Sequence, residues 1–414
     1  MASERIFPRR WNSSCTAKGI PALVPERRRQ FMTHDDLQSL LSVMLQSGEG
    51  VSDCLFLPGK APLVERHGQL QELPMEEPES VLQPGHIEAI AELLIDGNQR
   101  LKSDLESLGS CDTSYAVPGA ARFRTNIYRH GGRTGIVMRK LQSEVPTIEL
   151  LGLPPIFKQM VTEKNGIIFV TGSTGSGKTT TQAAMLNEIN QTQEVHIVTL
   201  EDPIEFVHPS AKSAFSQREM GKDFPDFATG LRAALRQAPK VILIGEVRDR
   251  ETMEIALTAS ETGHLVFCTL HTINAGQSIN RILGLFTNDE EKQVRERLAD
   301  TLRYIVSQRL VNKLGGVRLL VTEIMGSSLR TRETLLYGES ENRTFQEIIE
   351  AGTTMGWHSF DQSLMQAFEQ DLISEETAIL YCTHKNKMRR DLEMAKKMRY
   401  PTDDEPSGLR MATF

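Results

Sequence analysis

The chain has 414 residues, of which 39% are hydrophobic, 24% charged and 6% aromatic, and its formal net charge at pH 7 is −7. This is the composition of ordinary globular proteins, and the length favours two domains or more. The acidic balance disfavours a protein that coats nucleic acid or an anionic membrane. Because no run approaches the roughly 18 apolar residues of a membrane-spanning helix, we expect no transmembrane segment.

The five cysteines are spread along the chain without a CxxC pair. An odd number at these spacings disfavours both a disulfide framework and a four-cysteine zinc site. This usage fits a reducing cytoplasm best. Any association with a membrane is therefore expected to occur through partner proteins.

The two ends of the chain differ from its body. Residues 1–30 hold seven Lys or Arg against two Asp or Glu, together with three prolines and little apolar periodicity. This composition predicts a basic, disordered arm. Residues 399–414 are predicted to form a disordered tail.

Residues 31–140 are predicted to form a small α+β domain. Apolar residues recur at helical spacing after residue 33, and a second helical stretch lies near residues 86–94. Short apolar runs that favour strands occupy residues 54–57, 63–66, 122–128 and 135–138. Residues 141–155, which contain three prolines, are predicted to be an interdomain linker and a candidate hinge.

Residues 156–398 are predicted to form a larger α/β domain that ends in a helical region. Its short apolar runs, each bounded by turn residues, span residues 166–170, 196–200, 241–244 and 265–270. Segments of helix length separate them, and strands that alternate with helices predict a mainly parallel sheet covered on both faces. Ligands of such sheets bind beyond the carboxyl ends of the strands.

The sequence GSTGSGKT at residues 172–179 directly follows the first of these strands and matches the phosphate-loop pattern GxxxxGK[ST]. Glycines let backbone N–H groups wrap an anion, and the helix that follows adds its dipole. Lys178 is expected to reach the β- and γ-phosphates of ATP, and the Thr179 hydroxyl to ligate Mg²⁺. An incidental glycine-rich turn is the alternative, and the strand–loop–helix setting disfavours it. The predicted nucleotide-binding residues are Gly172, Ser173, Thr174, Gly175, Ser176, Gly177, Lys178, Thr179 and Thr180.

Acidic residues follow the next two predicted strands, and Glu201 and Glu246 are the principal candidates. Hydrolysis of a phosphoanhydride needs one carboxylate to orient or deprotonate water and others to hold hydrated magnesium. We predict that Glu201 polarises the water and that Glu246 lies on the metal side, partly through water; the sequence allows these roles to be exchanged. For Asp202 and Asp249, capping of the following helices is the alternative.

Two histidines bracket the fourth predicted strand. His271 falls at its carboxyl end, where it could hydrogen-bond a γ-phosphate or a catalytic carboxylate and report the nucleotide state. His264 lies at the far end, where a structural role is equally expected. Their spacing matches no common metal site.

These motifs resemble those of the secretion ATPase superfamily, most closely its PilT/PilU twitching-motility branch. The matching segments are residues 171–180, TLEDPIEFVH at 199–208, IGEVRD at 244–249 and residues 262–272, which correspond to the Walker A, Asp, Walker B and His boxes. The resemblance covers residues 33–395. It implies a PAS-like N-terminal domain, a RecA-like ATPase domain and a ring of six chains that hydrolyses ATP with Mg²⁺.

The resemblance also implies roles for residues of the small domain. Arg122, Arg124 and Arg139 match segments that contribute arginines to the nucleotide, where an arginine neutralises charge on the transferred phosphoryl group. The alternative is that they are surface arginines on edge strands. The implied partners are an inner-membrane pilus platform protein and a paralogous retraction ATPase, and direct nucleic-acid binding is not expected.

The resemblance implies a cytoplasmic motor that drives pilus retraction by disassembling pilin fibres. The chain lacks the larger N-terminal region and the four-cysteine zinc motif of extension enzymes, which favours retraction. However, residues 335–339 depart from the stretch associated with retraction, so the direction of movement stays open. The other readings are a secretion or DNA-transfer motor, a weakly hydrolysing regulatory subunit and a RecA-like nucleic-acid translocase.

Overall fold

The computed structural model describes residues 32–73, 81–141 and 144–399. The predicted basic arm and nearly all of the predicted tail lie outside the described residues. Contacts divide the chain into two compact units, Met1–Ser143 and Glu144–Phe414.

The first unit is an α+β fold built on one six-stranded antiparallel sheet. Its helices are α1 (His34–Gln46), α2 (Pro84–Ile95) and α3 (Gln99–Ser107). Its strands are β1 (Val51–Phe56), β2 (Leu63–Arg66), β3 (Gln69–Glu72), β4 (Ser110–Val117), β5 (Ala121–His130) and β6 (Arg133–Lys140). The sheet order is β3-β2-β1-β6-β5-β4, so β5 and β6 are interior strands.

Local sequence explains how the first unit begins. Thr33 caps α1: its side chain accepts a hydrogen bond from the Asp36 backbone N–H, and the Asp36 carboxylate accepts one from the Thr33 backbone N–H. The apolar face of α1 is buried in the core of this unit with fully buried residues of the sheet, among them Phe56 and Phe123. Sequence patterning missed α3, β3 and β4, because their mean apolar content is low and every residue of β3 is exposed.

The second unit is a seven-stranded sheet with helices around it. Its strands are β7 (Gly166–Gly172), β8 (His196–Glu201), β9 (Ala214–Glu219), β10 (Val241–Ile244), β11 (Leu265–Leu270), β12 (Leu302–Asn312) and β13 (Arg318–Gly326). Its helices are α4 (Ile156–Met160), α5 (Lys178–Thr192), α6 (Phe227–Ala234), α7 (Arg250–Glu261), α8 (Ala275–Leu283), α9 (Glu291–Thr301), α10 (Leu329–Tyr337), α11 (Phe345–Ala351), α12 (Phe360–Glu369), α13 (Glu375–Tyr381) and α14 (Lys385–Arg399), with a short 3₁₀ turn at Thr353–Met355.

The sheet order of this unit is β13-β12-β7-β11-β10-β8-β9, and every pair is parallel except β12 with β13. Every residue of β7, β10 and β11 is buried, as expected for parallel strands covered on both faces. The four strands predicted from apolar runs are all present. Their carboxyl ends therefore share one edge of the sheet.

Most of the predicted linker belongs to the second unit. Ile148 and Leu153 are buried in its core, and the Asn187 side chain on α5 donates a hydrogen bond of 3.2 Å to the Pro146 carbonyl. Residues 148–152 form turns, and the segment packs against this core instead of forming an extended spacer. Residues 142 and 143 lie outside the described residues.

The C-terminal helices are anchored to the sheet through β12. Gln308 donates a hydrogen bond of 2.7 Å to Thr181 on α5, whereas the next residue, Arg309, donates one of 2.6 Å to the Tyr381 carbonyl. The Arg309 guanidinium also lies 3.8 Å from the centre of the Phe360 ring. Successive side chains of a strand point to opposite faces, so β12 contacts the phosphate-loop helix on one side and the terminal helices on the other.

Candidate active site

The glycine-rich loop lies between the end of β7 and the start of α5. Gly172 is confined to glycine, because a Cβ there would approach Ser176 Oγ to 2.5 Å and the Gln308 carbonyl to 2.7 Å. Gly177, at the N-terminus of α5, has a φ of +89° that side chains disfavour. The loop therefore passes close to β12 before it turns into the helix.

Lys178 is the first residue of α5 and is folded back on the loop. Its Nζ donates to the carbonyls of Gly172 and Ser173 at 2.8 and 2.9 Å. Burial lowers the pKa of Lys178, while the charges of Glu246 and Glu205 oppose that shift. These two carboxylates thus act electrostatically on the loop lysine.

Glu246 follows β10 and is held from two sides. Its Oε1 lies 2.8 Å from an Arg248 guanidinium nitrogen, and its Oε2 lies 3.5 Å from His271 Nε2. His271 stands just beyond the end of β11, the strand between β10 and β7. The structure therefore places His271 against a carboxylate, which is one of the two contacts expected for it.

Glu201, the last residue of β8, is 7% exposed. Its Oε1 accepts hydrogen bonds from Thr199 Oγ1 at 2.6 Å and from Gln217 Nε2 at 3.2 Å. Burial raises the pKa of Glu201 to about 7, although these two donors favour the charged form. The carboxyl therefore exchanges its proton near neutral pH.

The strand order separates the two predicted glutamates. With strands about 4.8 Å apart, β10 lies about 10 Å from β7 and β8 about 14 Å from it. Glu246 therefore lies nearer the phosphate loop, and the charge on Glu205 acts on both Glu201 and Lys178. Residues 202–208 are here called the acidic segment; the charge of one of its residues, Glu205, is felt by both Glu201 and the loop lysine.

Glu205 was missed as a site residue, although it lies in the quoted Asp-box motif. Its position depends on how the acidic segment packs against β9, a strand that apolar periodicity did not reveal. The only sequence signal was a second glutamate four residues after Glu201.

Two of the weaker candidates have structural roles. Asp249 caps α7: it accepts hydrogen bonds of 2.8 and 2.9 Å from the backbone and side chain of Thr252. His264 Nδ1 lies 2.9 Å from the Ala259 carbonyl, at the end of the same helix. Asp202 is exposed in the turn after β8.

The three predicted arginines lie in the first unit. Arg122 and Arg124 are on β5 and Arg139 is on β6, where it pairs with Asp53 at 2.9 Å. Arg124 and Arg139 are opposite each other in the β5–β6 register. The edge-strand part of the alternative is wrong, because both strands are interior to the sheet, whereas Arg124 and Arg139 are exposed, as that alternative expects.

The loop residues fit a nucleotide with a magnesium ion. No atom would lie within 4 Å of a Cβ at Gly175 or Gly177, so the outer face of the loop is open, and the buried Ser176 Oγ has no hydrogen-bond partner. Thr179, half-buried in the first turn of α5, and Glu246 supply the oxygen donors that magnesium prefers. Among the described residues, no group of three or more His, Cys, Asp or Glu could hold a metal ion by itself.

A glycine loop between a buried parallel strand and a helix, facing carboxylates at the same sheet edge, defines a P-loop nucleotide-binding ATPase. Residues 118–386 match the family model described as type II/IV secretion system protein. The chain belongs to this family, and within it to the PilT-type ATPases.

Individual relatives show how far the likeness extends. The chain is 39% identical to the type IV pilus retraction ATPase PilT of Pseudomonas aeruginosa over 344 residues, 83% of this chain and 97% of that protein. It is 32% identical to the type IV pilus ATPase PilU of the same organism over 390 residues, 91% of this chain and 99% of that protein. The crystal structure of the pilus retraction motor PilT with bound ADP superposes with a TM-score of 0.76 at 36% identity, covering 86% of this chain and 99% of that one.

These findings confirm the predicted family and fold class, an N-terminal domain followed by an α/β ATPase domain, and the protein is an ATPase that binds nucleotide. In the described part of the chain, none of the helices combines the length and the apolar character needed to cross a bilayer.

Proposed function

We propose that the protein is a hexameric motor that couples ATP hydrolysis to retraction of type IV pili. The support is likeness along nearly the whole length of a pilus retraction ATPase. Matches to type II secretion system protein E, the alternative machine, cover only 43% of this chain and 31% of the Xanthomonas campestris protein. The observation that carries the chemistry is the placement of Glu246 beside His271 with its charge acting on Lys178.

With a nucleotide bound, Lys178 would exchange its loop carbonyls for the β- and γ-phosphates. Thr179 and, partly through water, Glu246 would hold Mg²⁺, which would supply positive charge at the phosphates. Ser176 and the backbone N–H groups of the loop would complete the phosphate contacts. Each of these residues lies in or faces the glycine-rich loop.

The water-activating role first predicted for Glu201 is assigned to Glu246, which also keeps its predicted place on the metal side. Glu246 lies closer to the loop, is 15% exposed and contacts His271, so it is the better group to orient and deprotonate water. Glu201 is more deeply buried and is occupied by Thr199 and Gln217. We therefore assign Glu201 to holding the acidic segment, and His271 to sensing the state of Glu246.

Other parts of the proposal come from the family resemblance. Arg122, Arg124 and Arg139 are proposed to reach the nucleotide and neutralise charge on the transferred group. Domain closure, passed round a ring of six chains, would deliver the mechanical work to an inner-membrane platform protein at the cytoplasmic face. A paralogous ATPase similar to PilU is a further proposed partner.

ATP turnover by the purified full-length protein tests the chemistry. Lys178→Ala and Glu246→Gln are expected to lose at least 100-fold in kcat, whereas Glu201→Gln loses about tenfold. Equal losses at the two glutamates would contradict the assignment of water activation to Glu246. Wild-type rates in Lys178→Ala would contradict the nucleotide site itself.

Deletion of the gene tests the biological role. Loss of a retraction motor is expected to leave cells with excess fibres that do not move, and a Lys178→Ala allele should reproduce this phenotype. Cells without fibres would contradict retraction. Unchanged fibres with a secretion defect would favour the alternative machine.

A further inference from the structure

The acidic segment is held by side chains of β9. The Ile204 amide donates to Glu219 Oε2 at 3.3 Å, and the His208 amide donates to Gln217 Oε1 at 2.9 Å. Between them, Gln217 Nε2 donates to the Phe206 carbonyl at 2.8 Å. Residues 204, 206 and 208 are therefore each hydrogen-bonded to β9, through side chains of that strand and not through its backbone.

This spacing orients the residues in between. Ile204, Phe206 and His208 are buried, whereas Glu205 is half-buried and Val207 is 49% exposed. Glu205 and Val207 are thus the less buried residues between those that are bonded to β9. The attachment to β9 therefore fixes the backbone on both sides of Glu205.

Gln217 also contacts Glu201. Its Nε2 donates to the Phe206 carbonyl and to Glu201 Oε1, and its Oε1 accepts from the His208 amide. One primary amide thus uses both N–H donors and its acceptor at once. No carboxylate or aliphatic side chain of similar size can make these three contacts.

We propose that Gln217 is a positioning residue for ATP hydrolysis: its amide joins the Glu201 carboxyl to the acidic segment and so fixes the backbone that carries Glu205. The inference rests on the proposed function and deepens it, because it names what orders the acidic side of the site. Gln217 acts through the two glutamates and not on the nucleotide itself. Its loss should therefore lower kcat and leave KM for ATP nearly unchanged.

Two substitutions in the full-length protein test this. Gln217→Glu keeps the acceptor for the His208 amide but loses both donors and places a second carboxyl against Glu201. Gln217→Leu removes all three contacts at similar volume. Ser216→Ala is the matched control, because Ser216 Oγ, next to it on β9, lies 2.9 Å from His196 Nε2 at the opposite end of β8.

We expect both Gln217 variants to lose about tenfold in kcat with KM for ATP within about twofold of wild type, and Ser216→Ala to keep both constants. Combining Gln217→Leu with Glu205→Gln should cost no more than the larger single effect, since both disturb one unit. Binding of ADP confirms that each variant is folded. If Gln217→Leu does not fold, Gln217→Glu alone decides the test.

Three results would overturn the inference. These are kcat within twofold of wild type in Gln217→Glu, an equal loss in Ser216→Ala, or fully additive losses in the double variant. Absence of turnover in the wild-type protein would overturn the proposed function and this inference together. Wild-type turnover with an unaffected Gln217→Glu variant would overturn the inference alone.

Discussion

Replacing Glu201 by glutamine should change the pH dependence of stability in a calculable way. Burial raises the pKa of Glu201 from its ordinary value of 4.5 to about 7, so the folded protein opposes ionisation of this carboxyl. Below pH 4.5 the carboxyl is protonated in both the folded and the unfolded state, so its titration does not change the free energy of unfolding. Between pH 4.5 and 7 the free energy of unfolding falls, and above pH 7 the loss reaches about 3 kcal/mol at 1.36 kcal/mol per pKa unit.

Glu201→Gln removes this titration while its amide oxygen still accepts from Thr199. The free energy of unfolding of the wild type should therefore fall by about 3 kcal/mol relative to Glu201→Gln as the pH rises from 4.5 to 8. Urea unfolding can be followed through Trp357, which is 4% exposed in the second unit, in a Trp11→Phe background that removes the other tryptophan. Glu296→Gln, at an exposed position on α9, controls for the loss of a carboxylate as such. A difference that does not vary with pH, or that grows in the opposite sense, would refute the reasoning.

Three further outcomes follow from the site. His271→Ala should lower kcat by about 10- to 100-fold because Glu246 loses a partner, whereas His264→Ala should leave turnover unchanged; steady-state kinetics at saturating ATP compares them. Asp249→Ala should destabilise the second unit by about 1 kcal/mol through loss of the α7 cap, measured by urea unfolding, and a loss above about 3 kcal/mol would indicate a role beyond capping. Gly172→Ala should abolish ADP binding, measured by calorimetry, because its Cβ has no room beside Ser176; retained affinity would show that the loop can shift.

Sequence alone predicts the centre of the candidate site because the signals are local. The phosphate loop depends on contiguous residues, and β7, β8, β10 and β11 are short buried runs that periodicity detects directly. The roles of the two glutamates were harder to assign. Glu201 ends β8 and Glu246 follows β10, and only the strand order shows that two spacings separate β10 from the loop strand and three separate β8 from it.

The remaining features depend on contacts between distant segments. Glu205 is oriented by β9, which has polar residues at most positions and no apolar run. The place of β12 beside β7 was equally hidden, because its sequence mixes Arg, Gln and Ser with aliphatic residues. The prolines of residues 141–155 suggested a spacer. The sequence does not reveal that Ile148 and Leu153 are buried in the core of the second unit, because that burial depends on contacts with distant segments.

The two adjacent residues Gln308 and Arg309 have a practical consequence for reading natural or laboratory variation. One peptide bond separates Gln308, which hydrogen-bonds the helix that follows the phosphate loop, from Arg309, which contacts α12 and α13. A substitution at Phe360, far along the sequence from any nucleotide motif, thus changes the packing of Arg309, whose neighbour Gln308 contacts Thr181. Phenotypes that map to the end of this chain should be assayed for altered ATP turnover before they are ascribed to a lost partner.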